Sequence, residues 1–291
     1  MKISECAELY LAYLADKSPN TVKNYNVDLK QFAQIAGDKD VESITKADIA
    51  KFRMVLQSKR LKSSTIARKL ACLNSFFQYL IDLELISSSP ITKSHRPKVS
   101  NKIPSSLTHE EIKRVIENAD NIMDKLIIKI LLTTGLRSAE ILDIRRENII
   151  IERNGQLFNI DYIENLQEGD IAYIKVLGKG NKERIVPLSE NVLEELFNYL
   201  KKYKVSPIFP ISYHSLWRRI INIGKKAGVI LHPHKLRHTA ATLALQSGAE
   251  LRVIQELLGH ASPLTTARYA KVNQKQLIEA TKKLSNSIFS D

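Results

Sequence analysis

The sequence has few of the residues that would indicate a disulfide framework, a structural metal site or a membrane span. Two cysteines occur in 291 residues, Cys6 and Cys72, and no Cys-x-x-Cys pair or Cys/His zinc spacing is present. The apolar run at 126–132 is broken by Lys129 and falls short of the ~20 residues that a spanning helix needs. The first residues carry acids instead of an apolar signal segment. These absences predict a protein of the reducing cytoplasm with no metal and no membrane partner.

Acidic residues are missing from two long intervals. Between Asp48 and Asp82, and again between Glu195 and Glu250, every Asp or Glu is absent while Lys and Arg recur. Over the whole chain, 44 Lys and Arg face 31 Asp and Glu, a formal net charge of +13. Such a balance favours nucleic acid as the partner, although an acid-free run can also be an ordinary solvated face. We expect Trp217 to anchor a helix with a basic outer face. The predicted contacts to the DNA backbone are Lys62, Arg68, Arg218 and Arg219.

Two regions of different pattern divide the chain. Residues 1–88 have helical periodicity throughout, with helix starts expected at Ser18, at Thr45, and at Ser63 or Ser64. Residues 89–106 are polar, basic and rich in proline, which predicts a linker. A second domain, 107–291, begins with the capping box of Thr108. Within it, the ranges 149–151, 158–162, 172–176 and 184–187 are predicted strands. The fold class is therefore mainly α with a small antiparallel β-sheet in the second domain.

Short motifs in the second domain combine arginine, lysine, histidine and tyrosine. They are TGLRSAE at 134–140, GKGNKER at 178–184, HKLRH at 234–238, LGH at 258–260 and a tyrosine at 269. Cleavage of a phosphodiester needs its charge neutralised, its leaving oxygen protonated and a nucleophile supplied. Arginines can fork onto phosphate oxygens, a lysine can act as the acid, and a tyrosine can form a covalent phosphotyrosine. The motifs therefore predict phosphoryl-transfer chemistry on DNA.

In this order and spacing, the motifs resemble those of the tyrosine recombinase (phage integrase) family. The resemblance is strongest to the Xer recombinases, and their archaeal branch is one candidate subgroup. The resemblance covers nearly the whole chain. It implies a two-domain, C-shaped clamp on DNA, with a SAM-like core-binding domain at 1–88. It also implies cleavage and rejoining through a 3′-phosphotyrosine, without a metal or any other cofactor. One departure is the long interval between Arg137 and Lys179, where residues 154–170 are expected to form an extended hairpin.

The resemblance implies a role for three cationic residues in the second domain. Arg137 and Arg237 bind the scissile phosphate. Lys179, in a turn between strands, protonates the departing 5′ oxygen. Lys182 is the alternative for that role, but glycines on both sides favour Lys179 as the residue presented by the tight turn.

The same resemblance assigns the remaining site residues. His234 handles the proton of the nucleophile, and His260 hydrogen-bonds a non-bridging phosphate oxygen. Tyr269 is the nucleophile itself. Glu140 is expected to orient an active-site group, and His238 to lie buried as a support for the site. Each candidate site residue also has a purely structural alternative, such as a surface arginine, a helix cap or a core histidine.

The last residues carry an apolar stripe that needs a partner. Leu277, Ala280, Leu284 and Ile288 recur at helical spacing within 274–289. The resemblance implies that this helix packs into a neighbouring protomer, giving a dimer on each double-stranded site and a tetrameric synapse. Docking onto its own domain is the alternative, and the sequence does not say whether an accessory activator is needed.

Four functions are compatible with these motifs. The first is a Xer-type recombinase that resolves chromosome dimers, favoured because the chain starts almost directly at the helical domain. The second is the integrase of a mobile element. A relaxing enzyme of the type IB topoisomerase kind and a non-catalytic DNA-binding protein on the same fold are the others. The retention of all six polar groups argues against the last.

Overall fold

The computed structural model describes residues 1–92, 95, 105–178 and 183–259. The chain divides into two compact units, Met1–Lys102 and Ile103–Asp291. The boundary between them falls inside the interval predicted as a linker. No helix within the described ranges is long and apolar enough to cross a bilayer. The expected fold class is confirmed, because the units are mainly helical and the second contains one small antiparallel sheet.

The first unit is a bundle whose helix starts are set by local capping. Its helices are α1 (Ile3–Tyr13), α2 (Pro19–Ala36), α3 (Lys46–Ser58) and α4 (Ser63–Asp82). The Ser18 hydroxyl accepts a hydrogen bond from the Thr21 backbone N–H at 3.3 Å, as its predicted capping role requires. Thr45 is the predicted N-cap of α3, and its backbone N–H donates to Asp48 Oδ2 at 2.7 Å. The expected cap of α4, Ser63 or Ser64, is wrong by one or two residues, since Lys62 is the N-cap and Ser63 already belongs to the helix.

Aromatic side chains fill the centre of this bundle. Phe32 of α2 meets Phe52 of α3 and Phe77 of α4 edge-to-face, with ring centroids 5.4 and 6.0 Å apart. Both cysteines are buried free thiols, and burial raises the pKa of Cys72 to about 12. The cysteines are therefore core residues and not reactive groups.

Part of the first acid-free interval faces the interior of this unit. Asp28 of α2 is fully buried and accepts hydrogen bonds from Arg68 at 2.5 and 3.0 Å and from Lys69 at 2.6 Å. Arg68, a predicted DNA contact, is thus already ion-paired within its own unit, while Lys62 is exposed. Two of the basic residues in this interval thus have their acidic partner about 40 residues earlier in the chain.

The second unit places a four-stranded sheet among helices. Its elements are α5 (His109–Glu117), α6 (Ile122–Thr134), α7 (Ser138–Leu142), β1 (Ile149–Arg153), β2 (Gln156–Asn159), β3 (Ile171–Leu177), β4 (Glu183–Leu188), α8 (Glu190–Lys202), α9 (Tyr213–Lys226), α10 (Pro233–Gln246) and α11 (Leu251–Leu258). The strand order is β2-β1-β3-β4 with every pair antiparallel. β4 is an edge strand, which is where a sheet tolerates Pro187.

An added edge strand explains much of the long interval between Arg137 and Lys179. β1 and β2 form a tight hairpin around Asn154 and Gly155, whose φ angles of 53° and 76° suit a two-residue turn. The predicted strand 158–162 is partly wrong, because β2 ends at Asn159 and a 3₁₀ turn spans Ile160–Tyr162. The chain then returns on the other side of β1 as β3. The expected extended hairpin is thus a short β1–β2 hairpin followed by a separate connection to β3.

α6 is the central helix of the second unit. Most of its apolar residues are fully buried, and it packs against α8, α10 and β4. The expectation for α9 is wrong in one respect: the Trp217 side chain is 44% exposed and does not anchor the helix. Leu216, Ile220 and Ile223 form the buried face of α9 instead, because they recur at three- and four-residue spacing.

Candidate active site

The turn between α6 and α7 positions Arg137. Gly135 ends α6 in the left-handed region with φ 64°, and a Cβ there would lie 2.3 Å from a side-chain carbon of Leu258, so only glycine fits. Arg137 is then the N-cap of α7. Its backbone N–H donates to Glu140 Oε2 at 2.7 Å and its Nη1 to Glu140 Oε1 at 2.8 Å. Its Nη2 donates to the Gly259 carbonyl at 3.0 Å.

Arg237 reaches the same place from α10. It is buried, and its Nη1 donates to the Gly135 carbonyl at 2.5 Å. Its Nη2 donates to the Leu258 carbonyl at 2.6 Å. Arg237 therefore bonds the glycine that ends α6 and the last residue of α11, two segments separated by more than 100 residues in the chain.

The two guanidinium groups converge on the C-terminal end of α11. They bind adjacent carbonyls, those of Leu258 and Gly259. The last carbonyls of a helix lack intrahelical partners and carry partial negative charge, so they attract and hold two cations side by side. Arginines with fixed positions present several N–H donors in a defined geometry, which is the arrangement that binds phosphate oxygens.

Arg184 of β4 joins this group, and the sequence reasoning missed it as a site residue. Its Nη1 and Nη2 donate to the two carboxylate oxygens of Glu140 at 2.9 and 2.8 Å, and its Nε donates to the Leu257 carbonyl at 3.3 Å. One signal was available. Arg184 shares the strand face of the buried Val186 and Leu188, and a charged residue on an inward face needs a partner.

Glu140 lies between two guanidinium groups. Burial by itself would raise the pKa of this carboxyl, but hydrogen bonds from Arg184 and from the backbone and side chain of Arg137 outweigh it and lower the pKa to about 2. Glu140 is therefore ionised at every physiological pH. Its contact with Arg137 is the geometry that an orienting carboxylate requires, and its role in a reaction stays a prediction.

The histidines of the HKLRH motif differ in environment. His234 is exposed in the first turn of α10, three residues before Arg237, whereas His238 is buried. His232, to which the sequence reasoning gave no role, is the N-cap of α10, and its Nδ1 accepts from the Lys235 N–H at 3.0 Å. Burial, together with the nearby His234 and Lys235, lowers the pKa of His232. The roles given to His234 and His238 stay predictions.

Three predicted catalytic residues, Lys179, His260 and Tyr269, lie outside the described residues, as does Lys182. The described segments beside two of them do reach the arginine cluster. Gly259 directly precedes His260 in the chain and accepts from Arg137. Arg184 follows the segment 179–182 by two residues. The roles of all three therefore remain predictions.

The predicted DNA contacts on α9 have different surroundings. Arg218 is exposed. Arg219 donates to both carboxylate oxygens of Asp124 in the first turn of α6, at 3.2 Å each, and so helps to hold α9 against α6. Contact with DNA stays a prediction for each of them.

Family comparisons agree with this arrangement. Residues 105–276 match the model described as the phage integrase family. The chain belongs to the phage integrase family. Residues 7–83 match its N-terminal SAM-like domain. The resemblance drawn from the motifs is thereby confirmed, and so is the enzyme class, since curated relatives that match most of this chain are tyrosine recombinases.

Two curated relatives and two solved structures illustrate the likeness. The tyrosine recombinase XerA of Pyrococcus horikoshii is 32% identical over 293 residues, covering 96% of this chain and 93% of the relative. The tyrosine recombinase XerC of Staphylococcus aureus is 31% identical over 283 residues, with 89% and 88% covered. A lambda integrase dimer bound to a COC′ core site superposes with a TM-score of 0.74 at 19% identity, covering 92% and 95%. XerH bound to a difH substrate gives 0.70 at 24%, covering 94% and 82%. The two structures show that the fold is shared.

Proposed function

We propose that this protein is a site-specific recombinase that cuts and rejoins double-stranded DNA through a 3′-phosphotyrosine at Tyr269. The observation that supports the proposal most is the convergence of Arg137 and Arg237 on the carbonyls of Leu258 and Gly259. Two fixed guanidiniums beside the residue that precedes His260 form a phosphate-binding arrangement at the place where four family motifs meet. A protein that only bound DNA along its surface would not need a buried Arg237 and a half-buried Arg137 held in this way.

In the proposed reaction, each site residue takes part in one bond change or stabilises the developing charge. The phenol oxygen of Tyr269 attacks phosphorus as its proton passes to His234, and the bond from phosphorus to the 5′ oxygen breaks. Lys179 gives that oxygen a proton. Arg137, Arg237 and His260 stabilise the charge that develops on the non-bridging oxygens. Attack by a 5′ hydroxyl on the phosphotyrosine reverses the step and rejoins the strand, so the energy of the bond is conserved.

The biological role proposed is Xer-type resolution of chromosome dimers in the cytoplasm. Its support is the likeness over 89% and 96% of the chain to relatives named XerC and XerA. The assembly proposed is a dimer on each site and a tetramer in the synapse, with the C-terminal helix at 274–289 exchanged between protomers. Related structures hold a lambda integrase dimer on a core site and a tetramer on a Holliday junction. An integrase of a mobile element is the second candidate.

The first experiment finds the target and tests the nucleophile together. Wild type and Tyr269→Phe are incubated with a library of random duplexes without magnesium, the mixture is denatured, and DNA linked to protein is sequenced. We expect a recurring sequence from wild type and no linked DNA from Tyr269→Phe, although both bind duplex. Tyr203→Phe, at the tyrosine that directly follows α8 and lies outside the motifs, is the matched control and should behave as wild type. Equal linkage in Tyr269→Phe would refute the proposed nucleophile.

A second experiment separates the two biological roles. A plasmid dimer that carries two copies of the recovered sequence is incubated with the enzyme, and monomers are counted. Conversion into monomers by identical sites supports a Xer-type resolvase. Recombination that requires two unlike sites supports a mobile-element integrase.

A further inference from the structure

Arg184 ties together three segments of the site. Its guanidinium donates to both carboxylate oxygens of Glu140 in α7 and its Nε to the Leu257 carbonyl in α11. The Arg184 side chain is only 13% exposed. A Cβ added at Gly259 would lie 3.0 Å from two atoms of this guanidinium, so the backbone there packs directly on it. Arg184 is thus fixed by β4, α7 and the end of α11 at once.

The negative charge of Glu140 would weaken the attraction of Arg137 for a phosphate. It holds Arg137 through the backbone N–H and through Nη1, both within 2.8 Å. A carboxylate this close also offsets the positive charge of Arg137, so a phosphate would meet a nearly neutral ion pair. Arg184 adds a second guanidinium to the same carboxylate, and the Arg137–Glu140–Arg184 group then keeps a net charge of about +1.

From this geometry we propose that Arg184 is a positioning residue of the reaction. It neutralises Glu140, so that Glu140 can orient Arg137 without cancelling the charge that Arg137 presents to the scissile phosphate. Arg184 acts through Glu140 and Arg137 and not by contact with the phosphate. The inference rests on the proposed recombinase function and explains why a half-buried edge-strand position carries an arginine.

The test is a double-mutant cycle of Arg184→Gln and Glu140→Gln. The rate of covalent linkage to the duplex recovered above is measured in a single turnover. Arg184→Gln should slow linkage roughly ten- to one-hundred-fold, because Glu140 then offsets Arg137. Adding Glu140→Gln should recover at least several-fold of this loss, because the charge of Arg137 is no longer cancelled. Arg184→Lys keeps the charge but loses the fork and should fall between wild type and Arg184→Gln.

A matched control is available on the same sheet. Arg153 of β1 makes a similar two-pronged pair with the buried Asp170, at 2.8 and 2.7 Å. Arg153→Gln removes a comparable ion pair away from the arginine cluster, so it should link DNA at nearly the wild-type rate. All rates are taken at a temperature where Trp217 fluorescence shows each variant to be folded.

The outcomes separate the two proposals. If Arg184→Gln/Glu140→Gln is as slow as Arg184→Gln, or slower, Arg184 is a structural residue only and the inference is overturned while the recombinase stands. If Arg184→Gln does not fold, Arg184→Lys decides: a folded Arg184→Lys no faster than Tyr269→Phe overturns the inference, and partial activity that Glu140→Gln raises supports it. If wild type links no DNA, the proposed function itself has failed.

Discussion

Replacement of Glu140 by glutamine should destabilise the second unit by about 3 kcal/mol near neutral pH. The carboxyl is buried, and its pKa is about 2 in the folded protein against a model value of 4.5. The difference is about 2.5 pH units, and each unit corresponds to about 1.36 kcal/mol of differential stabilisation. Glu140→Gln keeps the shape of the side chain but removes the charge that Arg137 and Arg184 share. The expected loss is therefore mainly electrostatic.

The stabilisation by Glu140 depends on pH in a direction that follows from its lowered pKa. Because the folded pKa is depressed, the stabilisation is complete above the unfolded value of about 4.5 and is lost as the pH falls through about 2. The gap between wild type and Glu140→Gln should therefore be about 3 kcal/mol at pH 7 and roughly half of that near pH 3. A gap below about 1 kcal/mol at pH 7, or one equally large at pH 3, would refute the reasoning.

The assay uses the single tryptophan of the chain. Trp217 lies in α9, so its fluorescence during urea unfolding reports on the second unit and not on the helical bundle at the N-terminus. Glu256→Gln is the control. Glu256 pairs with Arg252 on the surface of α11, where both side chains are more than 70% exposed. That change should alter the free energy of unfolding by no more than about 0.5 kcal/mol.

Two further perturbations test other parts of the fold. The Nδ1 of neutral His232 accepts from the Lys235 N–H and so caps α10, and a protonated Nδ1 cannot accept this bond. Because the pKa of His232 is lowered in the folded state, the cap is complete above pH ~6.5 and is lost as the pH falls through the lower pKa of the folded protein. His232→Ser should keep the cap and weaken the loss of second-unit stability between pH 8 and 5; an unchanged pH profile would contradict this. Asp28→Ala should destabilise the first unit by about 3–5 kcal/mol, because Lys69 is left buried without its carboxylate. Calorimetry of the full chain measures it, and a change below about 1 kcal/mol would contradict it.

Local signals explain why the helices were predictable. Ser18, Thr45 and Thr108 cap the helices that the sequence assigned to them, because a cap depends on residues within one turn. Gly135 ends α6 for the same local reason. The strand at 158–162 was misjudged in part, since apolar residues continue past Asn159 while the backbone turns into a 3₁₀ segment. Periodicity over five residues cannot separate these two outcomes.

By itself, the sequence determined the helical elements, the class of fold and the family, because caps, periodicity and motif spacing are properties of neighbouring residues. Only the tertiary structure decided which charges meet. Arg68 and Arg219 face carboxylates more than 30 residues away in the chain, and Arg184 holds Glu140 from 44 residues away. The sequence does not specify which group a charged side chain contacts in the folded protein. Its partner, and hence whether it faces a phosphate or a carboxylate, is set by the packing of α6, α10, α11 and the sheet.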